Sequence, residues 1–167
     1  MVRTLLGSAL VVGLMCAVAS AKSAPSAGDA ACTILTAAEL ATVVPSLGAA
    51  TPDHPDDPSG QWYARTCQWQ AKGSGSVSVG LMVTKTKDAM TLLVNSALDK
   101  PRADSNRKIE TPAPGFGAQS RIETFPTRYV VTFVQGSVIA TVSADGGKKA
   151  PDKAKVLALA KLLAGRL

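Results

Sequence analysis

The side chains able to do covalent or metal chemistry are few. The chain has one histidine, His54, three cysteines (Cys16, Cys32, Cys67) and three glutamates (Glu39, Glu110, Glu123). A Ser-His or Cys-His nucleophile would need His54 as its base, yet His54 stands in Thr51-Pro-Asp-His54-Pro-Asp-Asp-Pro-Ser-Gly60, a turn-rich loop. Together with Asp53, Asp56 and Asp57 it offers the hard and borderline donors of a weak metal site. The intervening prolines break the ligand spacing of known loop motifs, and no cysteine is close, so a solvated acidic loop is expected. There is no G-x-S-x-G, H-E-x-x-H or P-loop sequence, and Gly115-Phe116-Gly117 precedes a strand-like segment where a phosphate loop needs a helix. Three glutamates leave a carboxylate pair for glycoside cleavage open, but nothing in the spacing aligns one. The expectation is a protein that is not an enzyme and holds no metal and no cofactor.

The cysteines do chemistry of another kind. Arg3, the apolar run 5–18 and Ala19-Ser20-Ala21 form the charged start, the core and the cleavage site of a signal peptide over 1–21. The run is too short to span a bilayer comfortably, and no later segment approaches that length. Cys16 follows Gly13-Leu14-Met15, whereas a lipid-attachment signal wants Leu three residues before the cysteine and a small residue directly before it. Cys16 is therefore expected to leave with the leader, with lipid anchoring as the alternative. Cys32 and Cys67 remain as a pair in an exported chain, which points to one structural disulfide. Closing the loop 32–67 is worth roughly 4 kcal/mol in the chain-entropy account.

The elements that position these residues follow from periodicity. Residues 22–31 are small and polar, a flexible tail. Thr36-Ala-Ala-Glu39 is a capping box with Leu35 and Leu40 at the staple positions, so Glu39 is assigned to capping rather than catalysis, and Pro45 ends that helix after about two turns. Segment 62–70 reads as a strand with Cys67 and Trp69 on one face, and Val77, Val79, Leu81 and Val83 alternate through a second strand. Thr86 caps a helix over 87–98 whose buried face is Met90, Leu93, Val94 and Ala97. Residues 99–114 form a long charged connection, and 118–124 a short strand.

A hairpin follows, 129–134 with 137–143, turning at Gln135-Gly136 and pairing 133 with 138 and 131 with 140. This register puts Tyr129, Val131, Phe133, Val138, Ala140 and Val142 on one face. The opposite face, Val130, Thr132, Val134, Ile139 and Thr141, is apolar enough to need a second layer or a partner over it. The last helix, 152–164, carries the stripe Val156, Leu159, Ala160 and Leu163 with Lys153, Lys155 and Lys161 outside it; Leu157 and Leu162 widen the arc, so contact with a membrane surface is the alternative to core packing.

Composition bounds the rest. With 46% hydrophobic and 18% charged residues, one packed domain over 32–167 is expected. Aromatics make up 4%, too few for a platform that stacks bases or sugars. The net charge of +6 is scattered (Lys85/Lys87, Lys100/Arg102, Arg107/Lys108, Lys148/Lys149) rather than gathered into a stripe, which argues against nucleic acid as a partner.

Cys32-Thr-Ile-Leu35-Thr36-Ala-Ala-Glu39-Leu40, Cys67-Gln68-Trp69 and Gly115-Phe116-Gly117 together resemble a group of small exported bacterial proteins and lipoproteins of unknown function. Those chains share Cys-x-Leu-Leu-Thr-x-x-Glu-Val, then Cys-x-Trp or Cys-x-Tyr, a Gly-Leu-Gly-Asp-x-Ala turn, a strand pair and a final helix. Ala118 here stands at the group's Asp. The resemblance implies an envelope compartment and a fold like a bacterial kinase sensor domain or a Mog1/PsbP-like αβα sandwich; it carries no catalytic residue.

The expected fold is α+β, an antiparallel sheet of about five strands packed with three helices in the order α-β-β-α-β-β-β-α, with one disulfide. The expected function is a non-catalytic envelope protein, periplasmic or secreted, that binds an envelope protein, a lipid or a cell-wall ligand. The alternatives are a membrane- or wall-associated structural lipoprotein and a hydrolase with a cryptic site. Loop 51–60 with His54, Trp62 and Tyr63 is the candidate binding edge. Intact mass of the exported protein is expected to show a start near Lys22 and no alkylation without reductant, and Cys67→Ser to cost roughly 4 kcal/mol in urea unfolding. Two reactive thiols in the native protein would overturn the pairing.

Overall fold

Alternating small apolar residues build the sheet on which everything else rests. The structure, a computed structural model, describes residues 30–55, 58–99 and 106–167. The expected leader with Cys16, most of the expected tail, Asp56, Asp57 and part of the long connection lie outside the described residues. The strands are β1 Leu47–Asp53, β2 Trp62–Ala71, β3 Ser76–Thr84, β4 Lys108–Glu110, β5 Ser120–Thr124, β6 Arg128–Gln135 and β7 Val138–Asp145. They form a single antiparallel sheet in the order β1-β2-β3-β7-β6-β5-β4. The helices are α1 Ala30–Thr33, α2 Ala37–Ala41, α3 Lys87–Val94, which runs on into a π turn at Asn95–Asp99, and α4 Lys153–Ala164.

The α+β class, the antiparallel sheet and the disulfide are as expected, but the described residues hold seven strands and four helices rather than five and three. Both added strands are sheet edges. β1, Leu-Gly-Ala-Ala-Thr-Pro-Asp, is exposed along most of its length, and β4 throughout, so neither carries an alternating apolar pattern. Pairing with β2 and β5 is what makes them strands. The added helix, α1, is a single turn that begins inside the expected tail and buries Ala31.

The β6–β7 hairpin also differs from expectation. Phe133 pairs with Ala140 and Gln135 with Val138, so the two-residue loop is Gly136-Ser137 rather than Gln135-Gly136. Gly136 has φ +59° while Ser137 stays out of the left-handed region, and a turn needing positive φ at its first loop position selects glycine there. The register differs by two residues, which returns every side chain to its expected face.

On one face, Ile122, Val131, Val142, Val79 and Cys67 stand side by side across β5, β6, β7, β3 and β2. All five are 0% exposed. Val156, Leu159, Ala160 and Leu163 of α4, Ala31 of α1, Leu40 of α2 and Leu35 between those two helices cover that row. Each fully buried Val or Leu contributes about 1.5–3 kcal/mol over its exposed state. The Cys32–Cys67 bond, with Cα atoms 5.1 Å apart, pins α1 to the middle of β2.

The capping box forms as read: the Thr36 N–H donates to Glu39 Oε2 at 2.8 Å and the Glu39 N–H to Thr36 Oγ1 at 3.3 Å. Glu39 has a second task. Arg166, past the end of α4, donates to both its carboxylate oxygens and to the Ile34 carbonyl, tying the chain's last turn to its first helices. Arg166, then the Thr36 N–H, hold the Glu39 carboxyl at about 2, down from 4.5. A carboxyl depressed in the folded state adds stability above its unfolded pKa and loses it as pH falls through the window from 4.5 to about 2. Glu39→Gln is therefore expected to melt below wild type near neutral pH and together with it at the acid end of that window. A gap that stays constant in thermal melts across this range would refute the linkage.

Candidate functional site

The second face of the sheet is paved with small and polar side chains. Strand alternation sets Arg121, Thr132, Thr141, Gly80 and Thr66 in one row and Glu123, Val130, Ser143, Ser78 and Gln68 in the next. α3 lies over this face. Thr86 caps it by accepting from the Ala89 N–H at 3.1 Å, and Ala89 and Val94 are its buried residues. Met90, Leu93 and Ala97 of the expected buried face are only half covered, and Leu92 is 69% exposed. Among the described residues a helix of eight residues roofs part of this face of the seven-stranded sheet.

The result is a cleft of about 820 Å³ between Leu93, Ser96 and Ala97 above and Thr66, Gly80 and Thr141 below. Ligand pockets run to roughly 300–1,000 Å³, so the space suits a small molecule. Gly80 contributes to that space. An added Cβ there would meet Thr66 Oγ1 at 3.7 Å and Thr141 Cβ at 3.9 Å, ordinary contact distances, so neither packing nor a left-handed backbone requires glycine. A glycine inside a strand with room above it is the pattern of a surface that something approaches closely.

One end of the cleft is charged. Glu123 Oε2 accepts from Arg107 at 3.0 Å and Oε1 from Arg121 at 2.5 Å. Arg121 also donates to the Leu98 carbonyl at 3.1 Å, using one of the acceptors that the π turn leaves over. Through that bond the charged cluster holds the roof to the sheet. Arg128 lies 4.4 Å from the centre of the Phe125 ring, a cation–π contact. The Nε atoms of Arg121 and Arg128 are buried without a hydrogen-bond partner. A second hollow of about 420 Å³, between α2 and β1 over Trp69, has no charged lining residue among the described residues.

The candidate edge named from sequence lies elsewhere. His54 is exposed beyond the end of β1. Trp62 and Tyr63 open β2, where alternation turns Trp62 to the cleft side with Ala64 and Tyr63 to the disulfide side with Cys67. Tyr63 carries Arg65 over its ring at 4.9 Å. None of the three lines the cleft. Among the described residues no group of three or more His, Cys, Asp and Glu could hold a metal ion. Sequence reasoning passed over Arg121, Arg128 and Gly80. Two signals were there: opposite charges two residues apart in Ser120-Arg121-Ile122-Glu123, and a glycine in the middle of β3 on the face opposite Val79 and Leu81.

Glu123 is 6% exposed between two buried guanidiniums, so Glu123→Ala is expected to cost on the order of 3 kcal/mol in urea unfolding. Glu110→Ala, which breaks an exposed pair with Lys153, is expected to cost less than about 1 kcal/mol. Equal losses would contradict this ordering. No protein-family model matches the chain, and no curated protein or solved structure is similar to it.

Proposed function

We propose that this protein is an exported, non-catalytic module of the cell envelope that binds a small ligand in the cleft between α3 and the sheet. The observation that carries the reading is the contrast between the two sheet faces. One is closed by three helices over solvent-free residues, while the other keeps about 820 Å³ of lined space over a floor of glycine, serine and threonine.

The disulfide accords with an oxidising compartment, and no helix among the described residues is long and apolar enough to cross a membrane. The apolar stripe of α4 lies in the core, which favours a packing role for that helix over membrane contact. The case against catalysis rests on the cleft's own groups: among the described residues its lining includes no histidine or cysteine, and both oxygens of Glu123 are engaged by arginines. The same reading takes the chain to share the compartment of the exported bacterial proteins it resembles.

Gly80→Leu tests it by filling the floor of the cleft without asking for a forbidden backbone. Native mass spectrometry of protein purified from its own envelope is expected to show a retained small molecule on wild type. The same measurement is expected to show none on a Gly80→Leu variant that keeps the wild-type circular dichroism. Wild type and variant carrying equal loads, or both empty, would overturn the proposal.

A further inference from the structure

The charge balance of the cleft points to what it holds. Among the described residues its lining includes Arg107, Arg121, Arg128 and Glu123, and Glu123 accepts from both Arg107 and Arg121. Arg128 makes a ring contact with Phe125 and has no ion pair among the described residues. Arg121 is 9% exposed, and its Nε, like that of Arg128, is buried with no partner. A guanidinium has five N–H donors in a fixed fork, and a buried one with an unused donor is a costly group that an anion would complete. Away from this end the lining turns apolar and small: Met82, Leu93, Ala97 and Ile139 over the Thr66–Gly80–Thr141 floor. The cleft thus has a cationic end and a slim, mostly neutral body.

We infer that the ligand is an amphipathic organic anion, a carboxylate or phosphate on an aliphatic body. Its charged group would meet Arg121 and Arg128 at the Phe125 end and its chain would run beneath Leu93. This deepens the proposed function and rests on it. Glu123 then acts as a positioning residue: it accepts from one outer nitrogen of Arg121 while the Leu98 carbonyl accepts from the other, which fixes the guanidinium between its own strand and the roof and leaves Nε as its unpartnered donor. Arg128 is held from the other side by the Phe125 ring, which leaves its edge available for hydrogen bonding.

Isothermal titration of the mature, oxidised protein tests this with four probes: dodecanoate and dodecyl phosphate below their micelle concentrations, dodecanol below its solubility limit, and inorganic phosphate. Dodecanoate or dodecyl phosphate is expected to bind about tenfold or more tightly than dodecanol. Arg128→Gln is expected to remove most of that preference while leaving the dodecanol affinity in place. Binding of inorganic phosphate with an affinity equal to that of dodecyl phosphate would show that the aliphatic body is not recognised, and would overturn the amphipathic ligand. Dodecanol binding as tightly as both anions, with Gly80→Leu abolishing all three, would overturn the anion inference and leave the cleft reading standing. No binding of any probe would overturn the inference, and the retained-ligand measurement above would then decide the cleft reading separately. The preference is read on wild type, so the test stands even if Arg128→Gln does not fold.

Discussion

Ile122, Val131, Val142, Val79 and Cys67, adjacent across five strands and wholly solvent-free, form the row on which the molecule depends. A β-strand cannot present side chains to one face only, so packing this row against α1, α2 and α4 necessarily creates a second row on the reverse. The helical surface rich enough in apolar residues to close a face is spent on the first. The disulfide at the end of the row matters because α1 is a single turn and could not hold its place by its own hydrogen bonds. The clasp of Arg166 on Glu39 joins the last turn to the first helices over the same face, so both ends of the described chain close one core.

The reverse face inherits what the first one leaves. Its central residues are small or hydroxylated, which suits a floor that must tolerate water or a ligand, and its roof is one short helix prolonged by a π turn. The roof is held to the sheet through Arg121, which joins Glu123 on its own strand to the Leu98 carbonyl above. Buried ion pairs are expensive to desolvate and contribute little to stability when complete. Arg128, set against Phe125 with no ion pair among the described residues, is the cation on which the proposed anion site rests.

Core elements were legible and edges were not, for one reason. The strands of the core row announce themselves by alternation, and α4 by its stripe Val156, Leu159, Ala160, Leu163, because burial constrains every second or every third-to-fourth residue. β1 and β4 bury almost nothing, so no pattern marked them, and they exist because a neighbouring strand offers unpaired backbone groups. The hairpin register turned on a single φ. Gly136 takes the first loop position, so the pairing moves by two residues and the sorting of faces survives.

The order of residues by itself determined the pairing of Cys32 with Cys67, the capping of α2 by Thr36 and Glu39, the stripe of α4 and the two-sided character of the hairpin. These depend on contacts a few residues apart or, for the disulfide, on setting Cys16 aside with the expected leader. The tertiary structure alone decided that β5 and β3, more than thirty residues apart in the chain, frame a single cleft under α3, with Arg121, Glu123 and Arg128 gathered at its end. It also moved attention away from His54, Trp62 and Tyr63, which looked like a site because unusual residues cluster there in sequence. Spacing along a strand says which side chains share a face; which strand comes to lie beside which, and what covers them, follows from long-range pairing that no local pattern encodes.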